Sequence, residues 1–148
     1  MTSDVDQRLH VGWKEWASLP ELGVTAIEVK VDTGAKTSAI HSFDLEPFEK
    51  DGETYVRFGL HPDRHSSENE IYCEAKVVDQ RVVSDSGGHK ELRYVIETPI
   101  VLGDQQWPIQ ITLTSRENMA FRMLLGRQAM KNRILVQADA RHLLKKKD

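Results

Sequence analysis

The sequence has 148 residues, 39% hydrophobic and 29% charged, with a net charge of −3. That length suits one domain able to bury about 70% of its unfolded surface; no apolar run approaches the ~18 residues of a membrane span, and the acidic balance argues against a direct nucleic-acid binder. The single cysteine, Cys73, excludes an internal disulfide and fits a reducing compartment, while residues 1–10 lack the basic start and apolar stretch of a secretory signal, so a cytoplasmic location is expected.

Residues 1–8 read as a flexible N-terminus. Residues 9–16 carry Val11, Trp13 and Trp16 around Gly12 and suit an edge strand or a turn. Residues 24–31 are β-rich and run straight into Asp32-Thr33-Gly34. An acidic group follows at Asp44, Glu46, Glu49, Asp51 and Glu53. Residues 54–60 then alternate, with Val56, Phe58 and Leu60 on one face. Residues 61–70 are polar, contain Pro62 and Asn69, and read as a loop. The next segment places Ile71, Cys73, Ala75 and Val77 on one face, and residues 92–102 do the same with Leu92, Tyr94 and Ile96. Between them, Gly87-Gly88 supplies positive φ at low cost and predicts a hairpin tip. Ile109, Ile111 and Leu113 alternate in a further strand. An apolar run over 121–125 ends at Gly126, and a short helix is expected through Met130. Residues 134–136 form a last strand, and Asp139 is placed to cap a terminal helix reaching Leu144.

Many short strands with few helices predict an all-β barrel or sandwich. One domain is expected over 9–144, with a basic tail at 145–148 built on Lys145, Lys146 and Lys147. Trp13, Trp16 and Trp107 read as packing residues, Met119, Phe121 and Met123 as barrel lining, and Cys73 as a small core residue.

The chemistry points to Asp32. An aspartate leaving a strand into a tight turn is held rigidly, Gly34 allows close backbone approach, Thr33 offers a hydroxyl to lock the turn, and Ala35 leaves room beside the carboxylate. Paired carboxylates at close range cannot both ionise and share one proton, which is the basis of aspartic-protease chemistry. The sequence offers one Asp-Thr-Gly, so the second carboxylate must come from a second copy of the chain. Asp85-Ser86-Gly87 is an alternative second motif, yet only 53 positions separate Asp85 from Asp32 and no lobe-sized repeat is visible.

The tripeptide is followed about 90 residues later by Leu124-Leu125-Gly126-Arg127, with the glycine-tipped hairpin between. This order resembles that of the retropepsins, the retroviral-type dimeric aspartic proteases. The resemblance is closer to a bacterial branch, carried by Gly12-Trp13-Lys14-Glu15-Trp16, by residues 30–39, by Arg93-Tyr94-Val95-Ile96 and by residues 119–127. It implies a retropepsin-like closed barrel of one lobe with a flap hairpin, and a homodimeric aspartic endopeptidase. In this reading Asp32 is catalytic. Thr33, Gly34, Ala35, Lys36, Ser86, Gly87, Gly88, Arg93 and Arg116 bind substrate, and Gly126 and Arg127 support the site. The branch is often labelled an ATP-dependent zinc protease and is linked to ATP-grasp glutamate ligases that extend ribosomal proteins with glutamates. The resemblance therefore implies trimming of such poly-glutamate tails, with the modified ribosomal protein and the ligase as partners.

No cofactor or metal is expected from the residues. The sequence has neither a Gly-x-x-x-x-Gly-Lys-Ser/Thr loop nor a His-Glu-x-x-His pair. His61 and His65 are four apart but sit beside Pro62 in a loop, and His41, His89 and Cys73 are scattered. The chain also departs from the retroviral pattern at Lys36, where an acidic residue usually pairs with the arginine equivalent to Arg127. A lysine beside the catalytic centre would favour acidic substrates. Arg81, Lys90 and Arg122 are further candidates for an anionic groove. The alternative to catalysis is a binding module that holds glutamylated protein or the ligase without turnover.

Overall fold

The computed structural model describes residues 7–84, 87–116 and 119–147. Two strands open the chain, β1 (Leu9–Val11) and β2 (Lys14–Leu19), parted at Gly12-Trp13. Glycine is required there because a Cβ would lie 2.3 Å from the Ala140 carbonyl oxygen. A 3-10 turn (Pro20–Leu22) and the left-handed Gly23, at φ +77°, lead into β3 (Val24–Val31). There follow β4 (Ser38–His41), β5 (Phe43–Lys50) and β6 (Glu53–Leu60), then the two long strands β7 (Ile71–Ser84) and β8 (Lys90–Leu102). The chain continues with β9 (Gln105–Thr114), β10 (Met123–Leu125), one turn of helix α1 (Arg127–Met130) and β11 (Ile134–Val136).

Six strands in the order β2-β3-β10-β4-β9-β8 close into a barrel, because β2 pairs back to β8 through Ser18 and Val101. Closure removes free strand edges. The sheet continues past β8 through β7 and β6 to β5, while β1 and β11 form a separate parallel ribbon. Leu19, Ile27, Ile40, Ile96, Ile111 and Leu125 fill the barrel and are less than 2% exposed. The all-β closed barrel expected from the sequence is the observed architecture. The expected alternations at 54–60, 71–83 and 109–113 fall within β6, β7 and β9. The predicted hairpin is closed by the Ser84–Lys90 pair.

One expectation fails. Residues 139–144 form no helix. This segment runs back over the start of β2, where Trp13 N–H donates to the Ala140 carbonyl and His142 N–H to that of Lys14. The N–H groups of Leu143 and Leu144 are taken by the Glu15 carboxylate, at 2.8 and 3.1 Å, in place of helical carbonyls. The charge-rich 38–50 region conceals two strands. All of β4 is buried, polar Ser38 and His41 included, so it shows no alternation. The outer strand of the sheet is β5, mostly exposed, where Pro47 is tolerated.

Two ionisable groups, buried Glu28 and half-buried Cys73, report on this packing. Burial alone would raise the pKa of Glu28, but hydrogen bonds from Arg64 and His142, with Lys14 nearby, outweigh it and hold the carboxyl below its usual value. Its contribution to stability is present above the unfolded carboxylate range and lost as pH falls through the depressed folded value. Cys73, on the inner side of β7, has its thiol pushed up by burial from 9.0 to about 12. The native thiol is therefore expected to react with an aromatic disulfide reagent at pH 8 at least about tenfold more slowly than the urea-unfolded chain. Because the folded pKa is the higher one, its stability term is full below pH 9 and is lost as pH rises toward 12. Equal reaction rates in the two states would show that Cys73 is not shielded.

Candidate active site

The site is built where two parallel strands end together. Val31 of β3 lies opposite Leu125 of β10, with β4 antiparallel on the other side of β10. The loops leaving β3 and β10 are therefore neighbours, and backbone hydrogen bonds lace them. Asp32 N–H donates to the Leu125 carbonyl at 2.9 Å, Arg127 N–H to Ala35 at 2.8 Å, and Gln128 N–H to Lys36 at 3.0 Å. Within the turn, Gly34 N–H donates to Asp32 Oδ1 at 3.0 Å, which fixes the carboxylate's orientation. Asp32 is half-buried, whereas Thr33 and Gly34 at the loop apex are exposed.

Direct bonds thus bring Asp32, Thr33, Gly34, Ala35, Lys36, Gly126 and Arg127 into one cluster. Arg127 Nη1 donates to the Thr33 carbonyl at 2.9 Å, bracing the loop without an acidic partner among the described residues. In the turn, Thr33 contributes this carbonyl. Gly126 is buried, and its N–H donates to Ser38 Oγ at 3.0 Å. Lys36 is exposed.

The hairpin reaches the same region through Arg81. Its Nη1 donates to Thr37 Oγ1 at 3.3 Å and its Nη2 to Gln110 Oε1 at 3.0 Å, while Nε meets Asp79 Oδ2 at 2.7 Å. Thr37 Oγ1 in turn donates to Gln128 Oε1 at 3.3 Å. Arg93 lies directly across the ladder from Arg81. Its side chain is 11% exposed and its Nε meets Glu91 Oε2 at 3.1 Å, an oxygen shared with the Thr114 hydroxyl. Arg116 is exposed, two residues beyond β9. Gly88 sits near the hairpin tip at φ +83° with open space around its Cα, and Ser86 and Asp85 lie outside the described residues. Among the described residues, no three His, Cys, Asp or Glu side chains converge as metal ligands, and no helix is long and apolar enough to cross a membrane.

Sequence reasoning passed over Ser38, Thr37 and Gln128 as parts of the loop's support. Thr37 and Ser38 stand inside the 30–39 block, and a hydroxyl beside a glycine-bearing loop was the available signal. Gln128 had none, because its contact with Thr37 spans 91 positions.

A family model, that of the retropepsin-like aspartic endopeptidase RimB, matches residues 10–147. The chain belongs to the RimB-like family. It is 47% identical over 131 residues to a protein of Shewanella pealeana and 43% identical over 136 residues to one of Desulfotalea psychrophila, each named a probable alpha-L-glutamate ligase. These matches take in 88% and 92% of the chain, which spans only 29% of each relative's length. In three dimensions the RimB-like chain is similar to the crystal structure of protein Lpg0085 of Legionella pneumophila, a protein of unknown function. The TM-score is 0.78 at 27% identity, covering 93% of this chain and 98% of that one.

The RimB-like loop pair tolerates no side chain at Gly126. A Cβ there would lie 2.6 Å from the Thr37 carbonyl carbon and 2.9 Å from Ser38 N, both backbone atoms. Gly126→Ala must push the two loops apart, and is expected to cost about 1–3 kcal/mol and to displace the Asp32 turn. Urea unfolding measures the first effect, and amide shifts of Gly34 and Ala35 the second. A change under about 0.5 kcal/mol would show that the loops are not tightly docked.

Proposed function

We propose that this RimB-like domain is an aspartic endopeptidase that works as a pair of identical chains and removes glutamate tails from a modified ribosomal protein. The observation that carries the reading is one rigidly oriented aspartate per chain, at the base of a loop whose apex, Thr33-Gly34, is exposed. A two-fold meeting of two such loops would set one carboxylate against its equivalent, and the pair would hold a single proton.

In that arrangement the ionised Asp32 takes a proton from a water lying between the carboxylates. The water oxygen bonds to the peptide carbonyl carbon, and the protonated Asp32 of the second copy gives its proton to the carbonyl oxygen. On collapse the C–N bond breaks, the amine leaves with the proton held by the first Asp32, and a hydroxyl of the tetrahedral species passes its proton to the second Asp32, which restores the singly protonated pair. Arg127 and the Leu125 carbonyl hold the loop while charge moves. Gly87 and Gly88 fit a hairpin tip that covers substrate and excludes water.

The substrate reading draws support from the relatives. A domain like this one occupies under a third of chains named probable alpha-L-glutamate ligases, so a domain similar to this one lies within polypeptides that carry that name. Removal of what the ligase adds is the matching reaction. The test is incubation of the chain with a poly-glutamylated protein, read by intact mass. Stepwise losses of whole glutamate residues are expected. An unchanged mass, or the same losses with Asp32→Asn, would reject the proposal.

A further inference from the structure

Several cations carry their own counter-charge. Arg81 meets Asp79, Arg93 meets Glu91, Lys76 meets Glu53, and Lys14 and Arg64 both meet the buried Glu28. Lys36, Arg127 and Lys131 have no ion pair among the described residues. Together with Arg8, they line one cavity of about 560 Å³ whose rim includes Thr33 of the aspartate loop. Its apolar side is made by Met130, Ile134 and Val136, and no carboxylate stands among the described residues that line it. The larger cavity, about 720 Å³, differs: Glu28 and Asp63 stand among its cations.

We infer that the cavity bounded by Lys36, Arg127 and Lys131 binds the carboxylates of an acidic peptide. Like charges held in one concavity repel one another, and an anion entering it relieves that repulsion. The apolar wall suits the methylenes of a glutamate side chain while its carboxylate meets the ammonium and guanidinium groups. Arg127 adds direction, because Nη1 is committed to the Thr33 carbonyl and the planar fork is thereby oriented. The same bond couples an anion in the cavity to the loop that carries Asp32.

The glutamate identity of the peptide rests on the function proposed above, whereas binding itself needs no cleavage. The experiment therefore uses the full chain with Asp32→Asn and a fluorescent oligo-glutamate peptide, followed by anisotropy at low salt, with oligo-glutamine as the neutral control. Oligo-glutamate should bind and oligo-glutamine should not. Lys36→Ala combined with Lys131→Ala should weaken binding about tenfold, and the corresponding double change to Glu should weaken it further. Lys146→Ala with Lys147→Ala, on the larger cavity, should change affinity less than about twofold. Unchanged affinity in the Lys36/Lys131 variants overturns the inference, as does an equal loss in the Lys146/Lys147 variant. The two readings separate cleanly. Cleavage by the native chain with binding indifferent to Lys36 and Lys131 sinks only the cavity; binding lost in that variant without any cleavage sinks only the peptidase.

Discussion

Asp32→Asn is expected to keep the fold and to lower peptide hydrolysis at least about a hundredfold, the usual worth of a positioned acid–base group. The amide has the same shape, and its oxygen can still accept the Gly34 N–H that Asp32 Oδ1 receives at 3.0 Å. What it cannot do is take a proton from water at neutral pH. The variant also tests the requirement for two chains. In a freely exchanging mixture with an equal amount of Asp32→Asn chain, half the native chains pair with a dead partner, so activity per native chain should fall to about half. A chain that carried its whole active site alone would be indifferent to the added variant. Activity measured on a glutamylated substrate, with circular dichroism as the control for folding, decides between these outcomes.

The second large effect belongs to a residue far from the chemistry. Glu15 is fully buried, and its carboxylate accepts the N–H groups of Gly12, Leu143 and Leu144. Glu15→Ala leaves those donors without their acceptor, that of Gly12 in the interior and those of Leu143 and Leu144 part-buried. A buried orphaned donor costs about 1–3 kcal/mol and a part-buried one less, so the loss should be about 2–4 kcal/mol. Against a typical total of roughly 5–15 kcal/mol, that is enough to leave the domain marginal. Glu15→Gln keeps the length but turns one acceptor oxygen into a donor, and should fall between the two. Urea unfolding measures the cost, and hydrogen exchange at Leu143 and Leu144 locates it. A loss below about 1 kcal/mol would mean that other contacts hold the C-terminal segment.

This carboxylate also explains why the end of the chain was misjudged. Asp139 followed by apolar residues is a fair helix signal from local preference alone. Glu15 overrides it from more than a hundred positions away, by supplying acceptors that a helix would otherwise have to find within itself. The same contrast runs through the strands. Those with one side in the core, such as β6 and the first part of β7, show the period-two pattern and were readable. Fully buried β4 and largely exposed β5 have no two-sided environment to imprint a pattern and were not. Arg93 was a reasonable candidate cation, but only the fold shows it tied to Glu91 on its own strand.

By itself, the sequence determined the all-β class, the hairpin around Gly87-Gly88, and the family, through blocks spread from Gly12 to Arg127. Those features are written in local chemistry: alternation, glycine conformational freedom and the spacing of a few motifs. The tertiary structure alone decided that β2 closes on β8, that the Asp32 and Gly126-Arg127 loops lock through backbone bonds, and that Lys36, Arg127 and Lys131 share one cavity. Each of these joins residues tens of positions apart, and no local preference specifies which distant partner will satisfy a given donor or charge.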